Sequence, residues 1–163
     1  MTITYLSLGS NLGDRAANLR AAISALPAAN LNVRKVSSFY ETEPVDYLDQ
    51  PWFLNCAVEG ETESLPIELL HSLREIETRL GSKKAFRKGP RILDIDILLF
   101  GDQSVNTPEL QIPHPRMLAR KFVLAPLAEI APQAQHPSWT ESVRELLTRC
   151  NDPSTVRLVS DVA

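Results

Sequence analysis

Two aspartates separated by one residue, Asp94 and Asp96, have the residue type and spacing of a cation-binding pair. They lie in the apolar and β-branched run of residues 93–100, which predicts a strand. Side chains two apart on a strand point to the same face, with Cα atoms roughly 6.6 Å apart. Carboxylates this close repel each other and raise the pKa of one of them. The spacing therefore favours a site that shares one or two hard cations such as Mg²⁺.

A cationic stretch precedes this acid pair. No acidic residue interrupts its five cations, which are Lys83, Lys84, Arg87, Lys88 and Arg91. Cations bind phosphate oxygens and carboxylates bind the Mg²⁺ that those oxygens also bind, so the combination suits nucleotide chemistry. The alternative is a solvated charged loop followed by a strand with a polar face. The Gly89-Pro90 pair and an arginine three residues before Asp94 favour the functional interpretation.

An aromatic ring and an amide share one face of another predicted strand, residues 52–59. Phe53 and Asn55 are two apart, so the ring can stack on a flat heterocycle while the amide exchanges hydrogen bonds with it. A buried asparagine that is satisfied by backbone groups is the alternative that the spacing leaves open.

Three other polar features have less specific signals. Residues 9–14 lack the Gly-x-Gly-x-x-Gly pattern and a Lys-Ser/Thr ending, which favours a structural turn near the site over a phosphate-binding loop. His114 lies between two prolines and fits either a phosphate or metal contact or a simple turn. His71 has no partner at ligand spacing, which indicates a surface or packing residue.

Composition limits the class of protein. The chain has 163 residues, 44% of them hydrophobic and 23% charged, which fits one domain over residues 1–163. A net charge of −3 argues against nucleic-acid or anionic-membrane binding. Two cysteines of no fixed spacing indicate reduced thiols, and no leader or membrane-span pattern is present. We therefore expect a cytoplasmic monomer without nucleic-acid or membrane partners.

The order of the predicted elements indicates the fold class. The pattern predicts strands at 3–8, 33–41, 52–59 and 93–100 and helices at 15–26 and 66–80. Strand, helix, strand, strand, helix, strand is the βαββαβ plan of ferredoxin-like α+β folds, an antiparallel sheet with helices packed on it. Helices at 123–131 and 140–149 would be C-terminal additions.

This plan predicts where the chemical residues meet. The ends of the first two strands and the starts of the last two lie at one edge of the sheet, which brings Gly9, Thr42, Asn55 and Asp94 together. The opposite face of the last strand would carry its apolar side chains, Leu93, Ile95, Ile97 and Leu99.

Several ordered motifs carry a resemblance to a known family. They lie at residues 8–14, 38–44, 49–55, 89–96 (Gly-Pro-Arg-x-x-Asp-x-Asp) and 113–122. With them the chain resembles the 6-hydroxymethyl-7,8-dihydropterin pyrophosphokinases of folate biosynthesis over nearly all of its length up to about Pro132. The resemblance implies transfer of the diphosphoryl group of ATP to the pterin hydroxymethyl, release of AMP, and two Mg²⁺ ions.

The resemblance also implies roles for individual residues. Asp94 and Asp96 would bind the metal ions, and the catalytic set would be Asp94, Asp96, Arg91 and Lys83. The ATP contacts would be Lys84, Arg91, Ile97, His114, Arg120 and Arg74. The pterin site would comprise Thr42, Pro44, Val45, Phe53, Asn55 and Phe122, with the two phenylalanines on either side of the ring. Ser82 and Lys88 depart from the family pattern, so which loop cation acts in a closed state stays open.

Two alternatives to this activity remain. A nucleotidyltransferase also pairs Gly-Ser with Asp-x-Asp, but its Gly-Ser lies shortly before the aspartates, whereas Ser10 is about eighty residues away. A nucleotide- or pterin-binding module without turnover is the non-enzymatic alternative, and the presence of both aspartates, Arg91 and Asn55 argues against it. The reaction products separate these interpretations.

Overall fold

The structure, a computed structural model that describes residues 1–44, 48–81 and 89–159, is built around an antiparallel β-sheet. Its elements are β1 (Thr2–Ser10), α1 (Arg15–Ala25), β2 (Asn32–Val36), β3 (Phe39–Thr42), β4 (Phe53–Thr62), α2 (Pro66–Arg79), β5 (Asp94–Phe100), β6 (Val105–Asn106), β7 (Gln111–Ile112), α3 (Lys121–Ile130), α4 (Val143–Arg149) and β8 (Val156–Val159). Short 3-10 helices lie at Leu26–Ala29 and Met117–Ala119. The predicted α+β class with an antiparallel sheet is confirmed.

The sheet order is β5-β1-β4-β3-β8, with β2 also paired to β4. Strand β1 therefore lies between β4 and β5, and every pairing in the sheet is antiparallel. At the end of β1, Gly9 is opposite Asn55 on one side and Asp94 on the other. Residues far apart in the sequence meet at this end of the sheet, as the order of the elements predicts.

The predicted second strand at 33–41 is in fact two strands. Ser37 and Ser38 separate β2 from β3, and the Ser37 hydroxyl accepts a hydrogen bond from the Ala57 backbone N–H (2.8 Å). Val36 is opposite Val58 and Tyr40 is opposite Asn55, so the β2–β3 side contains one residue more than β4 over this interval. The extra residue is the mark of a bulge, which the alternation of apolar residues does not reveal.

Two apolar clusters cover the two faces of the sheet. One joins α1 and α2 to the sheet and includes Leu19, Leu69, Leu73, Ile76, Ile95 and Ile97. The other joins α3 and α4 to it and includes Ala57, Leu98, Leu99, Val123, Leu124 and Val143. Alternation predicts Leu99 on the same face as Ile97, but Leu99 lies on the α3 face because the β1–β5 register shifts between Tyr5 and Leu6.

Local signals start the two helices of the first cluster. Asp14 caps α1 by accepting a hydrogen bond from the Ala17 backbone N–H (3.1 Å). Helix α2 begins with Pro66, and Glu68 accepts a hydrogen bond from the Leu65 backbone N–H (2.8 Å). Among the helices in the described ranges, none is long and apolar enough to span a bilayer.

Candidate active site

A cavity of about 420 Å³ opens at the end of the sheet where β1, β4 and β5 carry polar residues. It is lined by Ser7, Gly9, Thr42, Glu43, Gln50, Phe53, Asn55, Arg74, Glu77, Thr78, Gly89, Arg91, Leu93, Asp94, Asp96, His114, Arg116, Arg120 and Phe122. Cross-strand neighbours share a face, so Asp94, Gly9 and Asn55 open into the cavity side by side. A carboxylate pair and an amide therefore meet in one concave site.

The two aspartates of β5 both line this cavity. Arg91 Nη1 lies 3.2 Å from Asp94 Oδ1, which gives Asp94 a positive neighbour. Burial, and next the charge of Asp94, raises the pKa of Asp96 above its ordinary value, although Arg74 and Arg120 oppose the shift. The fold thus holds two carboxylates together against their repulsion, an arrangement that a bound cation would relieve.

Helix α2 fixes the strand between the two aspartates. The Ile95 backbone N–H donates to Glu77 Oε2 (2.7 Å), and Arg74 Nη1 donates to the Ile95 carbonyl (2.8 Å). The two side chains also contact each other, with Arg74 Nη1 2.9 Å from Glu77 Oε1. Since β5 is an edge strand, these side chains take the place of a neighbouring strand. Burial, its largest influence, raises the pKa of Glu77.

The turn after β1 supports the arginine beside the acid pair. Asn11 is buried, and its backbone N–H donates to the Arg91 carbonyl (2.9 Å) while its Oδ1 accepts from the Arg91 N–H (2.7 Å). Its Nδ2 donates to Gln50 Oε1 and to the Pro51 carbonyl, both at 2.9 Å. These internal hydrogen bonds favour the structural-turn interpretation of residues 9–14.

The amide and the aromatic rings form the other part of the cavity. Asn55 is 4% exposed, and its Nδ2 donates to Thr42 Oγ1 (2.6 Å). The Asn55 Nδ2 therefore bonds to a side chain of the cavity, whereas the alternative supposed backbone partners. Phe53 and Phe122 also line the cavity, and Arg120 Cζ lies 5.4 Å from the centroid of the Phe122 ring. We call this region, with Thr42, Phe53, Asn55 and Phe122, the heterocycle slot.

His114 is held in one tautomer. Its Nδ1 accepts a hydrogen bond from the Arg116 backbone N–H (3.2 Å), so the neutral ring carries its proton on Nε2. Burial, and next the charges of Arg120 and Arg116, lowers its pKa to about 4. His114 thus both forms a local turn and presents a neutral donor in the cavity.

Five of the expected site residues are not among the described residues that line the cavity. Val45, Lys83 and Lys84 fall outside the described residues, as do Arg87 and Lys88. Pro44 is buried next to the cavity-lining Glu43 but is not itself a lining residue. Ile97 is 3% exposed and belongs to the apolar cluster under α1 and α2. The other ten expected residues line the cavity, and they are Thr42, Phe53, Asn55, Arg74, Arg91, Asp94, Asp96, His114, Arg120 and Phe122.

Sequence reasoning did not select several residues of the site. Glu77 is three residues after Arg74, a spacing more typical of an exposed ion pair, and Ser7 is opposite Asp96 on β1. Arg116 follows His114 by two residues and adds a further cation. Alternation on β1 is the signal that could have indicated Ser7 once the pairing of β1 with β5 was known.

Known proteins resemble this chain at the level of sequence. A family described as 7,8-dihydro-6-hydroxymethylpterin-pyrophosphokinase (HPPK) matches residues 5–132, which include every lining residue named above. A "2-amino-4-hydroxy-6-hydroxymethyldihydropteridine pyrophosphokinase" of Bacillus subtilis is 52% identical over 134 residues, covering 82% of this chain and 80% of the relative. One of the same description from Methylorubrum extorquens is 45% identical over 161 residues, covering 98% and 99%.

A solved structure resembles the chain in fold. The crystal structure described as "HPPK-DHPS in complex with substrates" matches with a TM-score of 0.73 at 15% identity. The match covers 90% of this chain and 43% of that chain, so this chain spans less than half of the longer protein.

Proposed function

The chain belongs to the 7,8-dihydro-6-hydroxymethylpterin-pyrophosphokinase family, and we propose on this basis that it transfers the diphosphoryl group of ATP to the hydroxymethyl of 6-hydroxymethyl-7,8-dihydropterin, releasing AMP. The single observation that carries the proposal for this site is the register of β1, in which Gly9 has Asn55 on one side and Asp94 on the other. The heterocycle slot and the acid pair are thereby neighbours in one cavity.

The spacing suits a bicyclic acceptor with a short side chain. Neighbouring strands lie about 4.8 Å apart, so the Cα atoms of Asn55 and Asp94 are roughly 10 Å apart across β1. A pterin that stacks between Phe53 and Phe122 and exchanges hydrogen bonds with Asn55 can direct its hydroxymethyl toward the acid pair. Thr42 fixes the Asn55 amide, because its Oγ1 accepts a hydrogen bond from Asn55 Nδ2.

Asp94 and Asp96 suit magnesium. Mg²⁺ binds proteins through one or two carboxylates and takes its other ligands from phosphates and water. Consistent with this, no group of three His, Cys, Asp or Glu residues able to hold a metal occurs in the described part of the chain. Burial and mutual repulsion, which raise the pKa of Asp96, also favour a cation here. Two bound Mg²⁺ would neutralise and orient the phosphates.

Cationic and neutral donors face the acid pair. We assign Arg91, Arg120 and His114 to the phosphates, with the neutral His114 donating from Nε2. Arg74 completes the expected nucleotide contacts of the described cavity, and Lys83 or Lys84 would add charge from the basic loop. Phosphoryl transfer depends mainly on alignment and charge neutralisation, so Asp96 can receive the hydroxyl proton without being a strong base.

The finer architecture is also part of the proposal. The order β5-β1-β4-β3 with antiparallel pairing supports a ferredoxin-like core, to which α3, α4 and β8 would be C-terminal additions. The six-stranded sheet has an apolar cluster on each face, which supports a single domain over residues 1–163. That the protein is a cytoplasmic monomer acting on small molecules is also part of the proposal, and the cavity of about 420 Å³ supports a small-molecule substrate.

Identification of the nucleotide product tests this function. Protein, Mg²⁺, ATP and the hydroxymethyl pterin should yield AMP and the pterin diphosphate ester. Asp94→Asn should lower turnover by about 100-fold or more, since it removes a charged ligand of the Mg²⁺ that would neutralise the reacting phosphates. Asp102→Asn, the same substitution at an exposed turn, should leave the rate unchanged. ADP would indicate a simple kinase, pyrophosphate a nucleotidyltransferase, and unchanged ATP a binding module.

A further inference from the structure

The C-terminal residues 152–157, which we call the C-terminal strap, connect two walls of the cavity without lining it. One end of the strap contacts the start of α3. The Lys121 backbone N–H donates to Asp152 Oδ2 (3.0 Å), and Lys121 lies between the lining residues Arg120 and Phe122. The N-cap residue of α3, Arg120, makes no side-chain capping bond, so Asp152 supplies an acceptor to an N–H of the first turn.

The middle of the strap holds the end of β3. The Glu43 N–H donates to the Thr155 carbonyl (3.2 Å), and the Thr155 N–H donates to Glu43 Oε1 (2.7 Å). The next residue, Val156, is opposite Thr42 in the β3–β8 pairing. Thr42 is thus fixed on both sides, by β4 and by the strap, where it accepts the hydrogen bond of Asn55.

The far end of the strap braces the start of β4. Arg157 Nε donates to Glu41 Oε1 (3.2 Å), and Arg157 Cζ lies 5.2 Å from the centroid of the Trp52 ring. Arg15 holds the same two residues from α1, through Glu41 Oε2 (2.8 Å) and the Trp52 carbonyl (3.0 Å). Trp52 directly precedes Phe53. The contacts of Arg157 and Arg15 with Trp52 therefore fix the backbone from which the Phe53 ring projects.

We infer that the C-terminal strap positions the two aromatic walls of the heterocycle slot, with Asp152 and Arg157 as positioning residues for the acceptor substrate. Phe122 is on α3, and the strap binds the backbone N–H of its neighbour Lys121. Phe53 is on β4, and the strap contacts the ring of the preceding residue, Trp52. Stacking of a flat ring needs a set distance between its two partners. The identity of the acceptor rests on the proposed function.

Equilibrium binding of each substrate tests the strap. Asp152→Ala and Arg157→Ala should each raise the Kd for the hydroxymethyl pterin about tenfold, the effect of roughly one lost hydrogen bond. Arg157→Ala should leave the Kd for Mg²⁺-ATP within twofold, because Arg157 binds Glu41 and the Trp52 ring, which belong to the acceptor side of the cavity. Asp152→Asn should recover most of the lost affinity, because its amide oxygen can still accept from the Lys121 N–H, while the second acceptor, which bonds the Ser154 N–H (2.9 Å), is replaced by an NH2 group. Titration calorimetry measures all four proteins.

A matched control separates positioning from general loss of structure. Arg149 is another exposed arginine of the C-terminal region, and it pairs with Glu141, whereas Arg157 pairs with Glu41. Arg149→Ala should change neither the Kd for the pterin nor the Kd for Mg²⁺-ATP. Wild-type pterin affinity in both strap variants, or an equal loss of affinity for both substrates in Arg157→Ala, would overturn the inference. Wild-type protein that binds the pterin but releases no AMP would contradict the proposed function alone, because the role of the strap is tested by the Kd for the pterin and not by turnover.

Discussion

Gly9 lies between the acid pair and the heterocycle slot and lets the two approach each other. A Cβ atom added there would lie 2.5 Å from Asn55 Oδ1 and 3.6 Å from Phe53 Cδ1. Gly9→Ala therefore forces the Asn55 amide to move and weakens its hydrogen bond to Thr42. We expect the KM for the pterin to rise at least about tenfold and the free energy of unfolding to fall by about 1–3 kcal/mol. Steady-state kinetics and urea denaturation measure the two effects.

Gly60 provides the matched control for this substitution. It lies in the same strand as Asn55 but near the far end, where an added Cβ would be 2.7 Å from Leu31 Cδ1. Gly60→Ala should cost similar stability while the KM for the pterin stays at the wild-type value. A Gly9→Ala protein with unchanged KM would show that this close approach has no role in acceptor binding.

Several site residues could be predicted because their signals are local. Asp94 and Asp96, like Phe53 and Asn55, lie two apart within one strand, and alternation alone places each pair on one face. Glu77 could not be predicted in this way. Its role depends on β5 being an edge strand, which follows from pairings between distant residues and not from the spacing on α2.

At the scale of elements, the contact of α2 with the outer edge of β5 controls the geometry of the acid pair. Glu77 and Arg74 bind the N–H and the carbonyl of Ile95, the residue between the two aspartates. Glu77→Ala frees this edge, and we expect the Mg²⁺ concentration for half-maximal rate to rise about 10–100-fold, as for other residues that orient metal ligands. Initial rates across a Mg²⁺ titration at saturating ATP and pterin measure the shift.

Glu75 offers the corresponding control on the same helix. It is exposed, so Glu75→Ala removes an equal charge from α2 and should leave the Mg²⁺ dependence unchanged. Glu77→Gln retains an oxygen that can accept from the Ile95 N–H and should fall between wild type and Glu77→Ala. If Glu77→Ala has the Mg²⁺ dependence of wild type, the helix does not orient the acid pair.

The types of most elements were predictable, while their interruptions were not. Apolar periodicity and helix-capping residues predict β1, β4, β5, α1 and α2. The bulge at Ser37 and the register shift near Leu6 each depend on a partner strand, so no pattern within one segment indicates them. β8 is short and half exposed, and its place beside β3 depends on tertiary contacts.

At the scale of the whole molecule, the cavity concentrates charge of both signs in a chain of net charge −3. Among the described lining residues, the cations are Arg74, Arg91, Arg116 and Arg120, and the carboxylates are Glu43, Glu77, Asp94 and Asp96. Because the four positive and four negative side chains balance, the triphosphate of a bound nucleotide would make the site strongly negative unless divalent cations bind with it. Nucleotide and metal should therefore bind together.

Thermal unfolding tests this coupling of metal and nucleotide. At 100 times its Kd, Mg²⁺-ATP should stabilise the protein by about 2.7 kcal/mol and raise Tm by about 5–10 °C, with EDTA abolishing the shift. Asp96→Asn should lose this shift in Tm.

The folded state raises the pKa of Asp96, so ionisation of Asp96 destabilises the free wild-type protein as the pH rises above about 4. Free Asp96→Asn should consequently unfold at a higher Tm than free wild type at pH 8, and this difference should shrink toward pH 4. A variant that is less stable than wild type at pH 8, or that keeps the full response to Mg²⁺-ATP, would mean that the fold does not hold this carboxylate in place for a cation.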